Sequence, residues 1–171
     1  IKTSTTTVKA ENNSNTDNGS TDNNGGSENG TTTGNKLFDY TVPAGITLNT
    51  TETSVSPYGS VSASVSSTTD ATKGFKFGHN DTYLKITLDN NTLQVGDVIT
   101  ITSYAENKDM GVKVSASNGG EAITITSSKE AKVNTKSSYT VKSDDILNGS
   151  SCIYLYRIAG STTYLKSITI T

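Results

Sequence analysis

Few residues in this chain of 171 could carry chemistry: one histidine, one cysteine and scattered loop carboxylates. The histidine, His79, sits in the polar pentad Gly78-His79-Asn80-Asp81-Thr82, between the apolar-alternating runs Phe75/Phe77 and Leu84/Ile86/Leu88. A nucleophilic triad needs a base beside an activated Ser or Cys; only one histidine is available, and no G-x-S-x-G turn occurs. Asp81, Glu106 and Asp109 read as solvated loop acids rather than as the paired carboxylates of a glycosidase, so an enzyme is not expected. Structural zinc asks for about four nitrogen or sulfur ligands, which one His and one Cys cannot supply. Oxygen coordination stays open: a structural calcium ion would draw on carboxylates such as Asp39, Asp97 or Asp145, whereas the runs around Gly19 and Gly25 lack the EF-hand ligand pattern. Cys152 cannot form an internal disulfide and is expected as a small buried apolar group.

Binding is the chemistry that remains. Sugar rings are held by stacking on flat aromatic faces and by directional hydrogen bonds from Asn, His, Lys and Arg. Tyr58, His79, Asn80, Tyr104, Asn107, Lys108, Arg157 and Tyr164 supply that mixture and are the candidate ligand-binding residues. The competing structural reading is that tyrosines at strand ends pack with their rings and wet only their hydroxyls. The absence of tryptophan weakens the case for a crystalline polysaccharide and leaves room for a polar glycan. Lys108, Lys129, Lys132, Lys136 and Arg157 point mildly toward an anionic one such as pectin, offset in number by Glu52, Asp81, Glu106, Asp109 and Glu130.

The elements that must position these residues are strands. Runs of β-branched and aromatic residues recur at 36–42, 59–66, 74–77, 83–88, 97–103, 111–116, 121–127, 138–142, 151–158 and 163–171, separated by Gly, Asn, Asp and Ser. This pattern predicts an all-β, antiparallel two-sheet sandwich of about ten strands, jelly-roll-like. Period-two alternation turns inward Phe38, Tyr40 and Val42; Val61, Ala63 and Val65; Ile99 and Ile101; Val112 and Val114; Ile123 and Ile125; Tyr139 and Val141; Ile153 and Leu155; Ile168 and Ile170. The 151–158 run is apolar on both faces and is read as a central strand covered on both sides. A helical turn is expected only at Asp144–Leu147, with Ser143 as its cap.

If every connection reverses direction, loops 43–58, 78–82, 104–110, 128–137 and 159–162 share one end, and 67–73, 89–96, 117–120 and 143–150 the other. Residues 1–35 hold almost nothing to bury and read as a flexible Ser/Thr/Asn/Gly linker entering at the second end, with the sandwich over 36–171. A net charge of −2 gives no electrostatic reason to bind nucleic acid, and no apolar run approaches the roughly 20 residues of a membrane-spanning helix. Since Ile1 leads straight into the linker, the sequence reads as a fragment whose upstream partner and export signal were removed.

The segments FKFGHNDTYLKITLDNNTLQVGDVITIT, SDDILNGSSCIYLYRIAG and STTYLKSITIT resemble the accessory β-sandwich domains of secreted polysaccharide lyases and glycoside hydrolases of gut and rumen bacteria. The resemblance spans Gly74 to Thr171. It implies a non-catalytic, monomeric, extracellular carbohydrate-binding module, joined to an upstream catalytic domain and directed at a plant cell-wall polysaccharide. The alternative is a structural or adhesin-like spacer that binds no sugar.

Overall fold

The computed structural model describes residues 35–171, and the predicted linker lies outside them apart from Asn35. Thirteen strands and no helix are found among the described residues. Five strands form one sheet: β1 (Phe38–Thr41) and β6 (Phe75–Phe77) lie end to end along one edge of β13 (Thr163–Ile170). On the other edge of β13 come β8 (Val98–Ala105) and then β11 (Asn134–Thr140). The second sheet runs β10 (Ile123–Thr124), β9 (Val112–Ser115), β12 (Cys152–Arg157), β7 (Tyr83–Leu88), β4 (Gly59–Ala63), β3 (Thr53–Val55). A small ribbon pairs β2 (Thr47–Leu48) with β5 (Ser67–Thr68), and every pairing is antiparallel.

Alternation builds the core. Phe38, Phe75, Phe77, Ile99, Ile101, Leu165, Ile168 and Ile170 from the first sheet meet Val61, Leu84, Ile86, Val112, Val114, Ile153 and Leu155 from the second in one buried cluster. Each such side chain contributes roughly 1.5–3 kcal/mol on leaving water, which is what locks the register of both sheets. Gly74 (φ +97°) is required where β6 begins, because a Cβ there would strike the Leu165 carbonyl.

Several expectations need correction. β4 ends at Ala63, so Val65 is 46% exposed instead of inward. The Asp144–Leu147 segment forms turns and no helix; Asp145 spends its carboxylate accepting from the Tyr139 hydroxyl and the Lys142 N–H. β11 starts at Asn134, four residues before its expected start, so Lys136 is a strand residue paired with Thr102 and not a loop lysine. Cys152 is partly exposed, on the outer side of β12 opposite Thr87.

The ends of the sandwich follow from register. Thr163 pairs with both Phe77 and Ala105, and Arg157 pairs with Val112, so loops 78–82, 106–111 and 158–162 share one end. At the other end Phe38 pairs with Ile170, the Leu37 N–H donates to the Ile170 carbonyl at 2.8 Å, and Gly59 pairs with Leu88. The pentad 78–82 therefore faces away from the point where the described chain begins. The 43–58 segment breaks the simple reversal, because β2 and β3 intervene and β4 runs opposite to its expected direction.

Candidate functional site

Pairing of β7 with β12 sets Tyr83 opposite Tyr156, Lys85 opposite Tyr154 and Thr87 opposite Cys152, while β9 brings Lys113 opposite Tyr156 and Ser115 opposite Tyr154. Leu84, Ile86, Val114, Ile153 and Leu155 fill the core, so these alternate residues all face outward. The outer face of the second sheet thus carries two rows: Lys113–Tyr156–Tyr83, then Ser115–Tyr154–Lys85–Ser62. An outer face of an antiparallel sheet is normally polar. Here Tyr83 packs edge-on against Tyr154 (centroids 5.3 Å apart, 78°) and against Tyr156 (5.9 Å, 67°). Tyr83 and Tyr154 remain partly exposed. Lys85 flanks them, its ammonium 3.5 Å from Glu52.

Tyr156 is only 6% exposed, because the 116–122 hairpin loop folds back over it. Its hydroxyl donates to Asn118 Oδ1 and accepts from the Gly119 N–H, both at 2.9 Å. Gly119 holds φ +71°, a conformation glycine adopts without the Cβ penalty. Burial pushes the Tyr156 hydroxyl above its ordinary value, opposed by the Gly119 N–H, and burial raises Tyr154 as well. The folded-back loop walls an open cleft of about 310 Å³. Lys113 and Tyr156 form its floor, the Asn118–Gly120 turn and Ala122 one wall, and Asn80 and Asp81 of the pentad the other. Polar donors and acceptors line it from both sides of an aromatic floor, which suits a ligand rich in hydroxyls.

The predicted site residues do not converge on one place. Tyr58 lies at the opposite end from His79, its ring 6.5 Å from Phe38 and its carbonyl accepting from the Asp89 N–H; the reversed β4 moved it there. Tyr104 and Tyr164 pair across β8 and β13 on the outer face of the first sheet, centroids 6.0 Å apart. Lys73 sits over both rings, 5.0 and 5.3 Å from their centroids, and donates to Glu106 at 2.7 Å. Asn107 and Lys108 are exposed in the 106–111 loop. His79 is exposed, and its backbone closes the pentad turn with Thr82. Asn80 and Arg157 are joined by a hydrogen bond, the Arg157 Nε–H donating to Asn80 Oδ1 at 2.9 Å. Among the described residues no three His, Cys, Asp or Glu side chains gather as a metal centre.

Tyr83, Tyr154, Tyr156, Lys113 and the Asn118–Gly120 turn were not among the candidates. Their signal was present as tyrosines alternating with core residues on 83–88 and 151–158, and becomes readable once those two strands are known to be neighbours.

No protein-family model matches the chain, and no curated protein does. Among solved structures it is similar to a xylan-binding module, CBM15, at 13% identity over 71% of this chain and 94% of that one, with a TM-score of 0.44. The C-terminal CBM6 of the marine laminarinase LamC from Zobellia galactanivorans gives 12% identity over 78% and 99%, with a TM-score of 0.41. CBM29_1, a family 29 carbohydrate-binding module from Piromyces equi, gives 16% over 78% and 89%, with a TM-score of 0.38.

Proposed function

We propose that the described domain is a non-catalytic carbohydrate-binding module whose ligand lies on the outer face of the second sheet, across Tyr83 and Tyr154 and into the cleft over Tyr156. The observation that carries this reading is the tyrosine cluster itself: three rings on the side of a sheet that water should face, contiguous with a cleft lined by amide, ammonium and carboxylate groups. Partly exposed rings offer stacking area, and Lys85, Lys113, Asn80, Asp81 and Asn118 offer the directional bonds that distinguish one hydroxyl pattern from another. Among the described residues Asp81 is the one carboxylate lining the cleft, whereas glycoside hydrolysis uses two flanking the scissile bond. In this reading the module works by tethering: an attached secreted bacterial enzyme is held near a plant cell-wall polysaccharide, a gain in effective concentration that needs only weak affinity. The linker-like composition of residues 1–35 and the resemblance of Gly74–Thr171 to accessory domains support it.

Affinity electrophoresis of the domain through gels containing neutral and acidic plant polysaccharides tests the reading. At least one gel should retard the protein, and Tyr154→Ala should abolish most of that retardation. No retardation in any gel would leave the spacer reading in its place.

A further inference from the structure

Three of the basic residues that pointed the sequence toward an anionic glycan lie off the tyrosine face. Lys136 belongs to the first sheet, opposite Thr102; the Lys132 N–H donates to the Ala105 carbonyl at the end of β8; and Arg157 lies on the core-facing side of β12. The charges that the face does carry come in opposite signs. Lys85 stands between Tyr154 on β12 and Ser62 on β4, and its ammonium lies 3.5 Å from the carboxylate of Glu52, the residue just before β3. The adjoining cleft has one ammonium, Lys113, and one carboxylate, Asp81, among the described residues that line it. Cations are thus balanced locally, and carboxylates stand where an anionic ligand would have to lie.

The Lys85–Glu52 pair does little for the fold, since its side chains are 28% and 54% exposed and exposed pairs stabilise weakly. At 3.5 Å the contact is longer than an ordinary hydrogen bond, so both groups keep their bonding capacity: the ammonium donates and the carboxylate only accepts. Burial raises the Tyr154 hydroxyl and the Lys85 charge opposes that rise, which sets the ammonium within electrostatic reach of a ring that offers stacking area. A donor and an acceptor side by side next to an aromatic ring match two hydroxyls on adjacent sugar carbons. One hydroxyl accepts from the ammonium while its neighbour donates to the carboxylate.

We propose that Lys85 and Glu52 together form the contact for a vicinal diol beside Tyr154, so that the ligand of this face is an uncharged glycan and Glu52 and Asp81 turn acidic sugars away. The inference rests on the glycan-binding reading above. Like charges juxtaposed across a contact cost affinity, so the carboxylates that accept hydroxyl protons also select against uronates.

Calorimetric titration of the domain compares cello-, manno- and galacto-oligosaccharides with the same oligomers after their primary alcohols are oxidised to carboxylates, and xylo-oligosaccharides with and without glucuronate branches. At low salt at least one neutral oligomer should bind about tenfold or more tightly than its acidic counterpart, a gap that narrows as salt screens the repulsion. Glu52→Gln should weaken the neutral oligomer several-fold and narrow the gap. Lys85→Met should weaken it several-fold and widen the gap. Because the pair is exposed, both variants should keep the fold, as circular dichroism would verify. An acidic form bound as tightly as its neutral counterpart, or more tightly, would overturn the inference. So would a neutral affinity or a gap left unchanged in either variant. Each of those results leaves the glycan-binding reading standing. Retention by no polysaccharide at all would overturn both.

Discussion

Two tyrosine clusters occupy opposite outer faces of the same sandwich, and their difference lies in what covers them. Tyr104 and Tyr164 on the first sheet are capped from within: Lys73 lies over both rings and is anchored by Glu106, so the aromatic faces already have a cation. Tyr83, Tyr154 and Tyr156 on the second sheet are braced by each other and by the 116–122 loop, which pins Tyr156 and leaves Tyr83 and Tyr154 partly open beside a cleft. The same residue type thus closes a surface in one place and offers one in the other. Composition does not distinguish the two; the neighbouring loop does.

The largest effect expected from breaking this contrast is on stability at Tyr156. Tyr156→Ala removes a nearly buried ring and strands Asn118 and Gly119 without their partner, a loss of about 3 kcal/mol by urea denaturation. Affinity separates the clusters next. Tyr154→Ala should weaken glycan binding about tenfold, or about 1.4 kcal/mol, with a smaller change in stability, while Tyr104→Ala should leave affinity unaltered by calorimetry. Tyr156→Phe keeps the ring and loses only the hydroxyl bonds. It should cost about 1 kcal/mol of stability, and faster amide exchange across 117–120 would report the loosened loop.

The smallest effect concerns pH and is read at the Lys73–Glu106 pair over the first sheet. The Glu106 hydrogen bond raises the Lys73 ammonium above its ordinary 10.5, with burial opposing. A cationic group that holds its proton more tightly when folded stabilises fully below the unfolded value and loses that contribution as pH rises through the folded one. Burial raises the Tyr164 hydroxyl above its ordinary 10.0, which also erodes stability at alkaline pH because the unfolded chain ionises first. Glu106→Gln should therefore flatten the alkaline decline in urea midpoints only in part. An unaltered decline would show that Lys73 is not held by Glu106.

Much of the architecture was legible because alternation is a local signal. Phe75/Phe77, Leu84/Ile86/Leu88 and Ile168/Ile170 announce both a strand and its buried side, and all are in the core. Direction is not local. Nothing in the alternation of Gly59–Ala63 shows which way the strand runs, and the two- and three-residue strands β2 and β3 lie below the length at which periodicity is visible. That lack carried Tyr58 to the wrong end. The candidate site suffered similarly: Tyr83 and Tyr154 lie about 70 residues apart and meet only through the β7–β12 register. The fold-back of the 116–122 loop depends on the Tyr156 hydroxyl, a tertiary contact with no sequence periodicity behind it. Arg157 was chosen for its chemistry, and its burial on the core-facing side of β12 emerged only from the packing.

The central claim is that the open tyrosine face binds and the capped one does not. The most direct measurement is amide chemical-shift mapping of the ¹⁵N-labelled domain during titration with a polysaccharide-derived oligomer that retards it in gels. The account predicts shifts concentrated at Asn80, Tyr83, Lys113, Gly119 and Tyr154, with residues around Tyr104 and Tyr164 unmoved. Shifts centred on Lys73, Tyr104 and Tyr164 instead would contradict it.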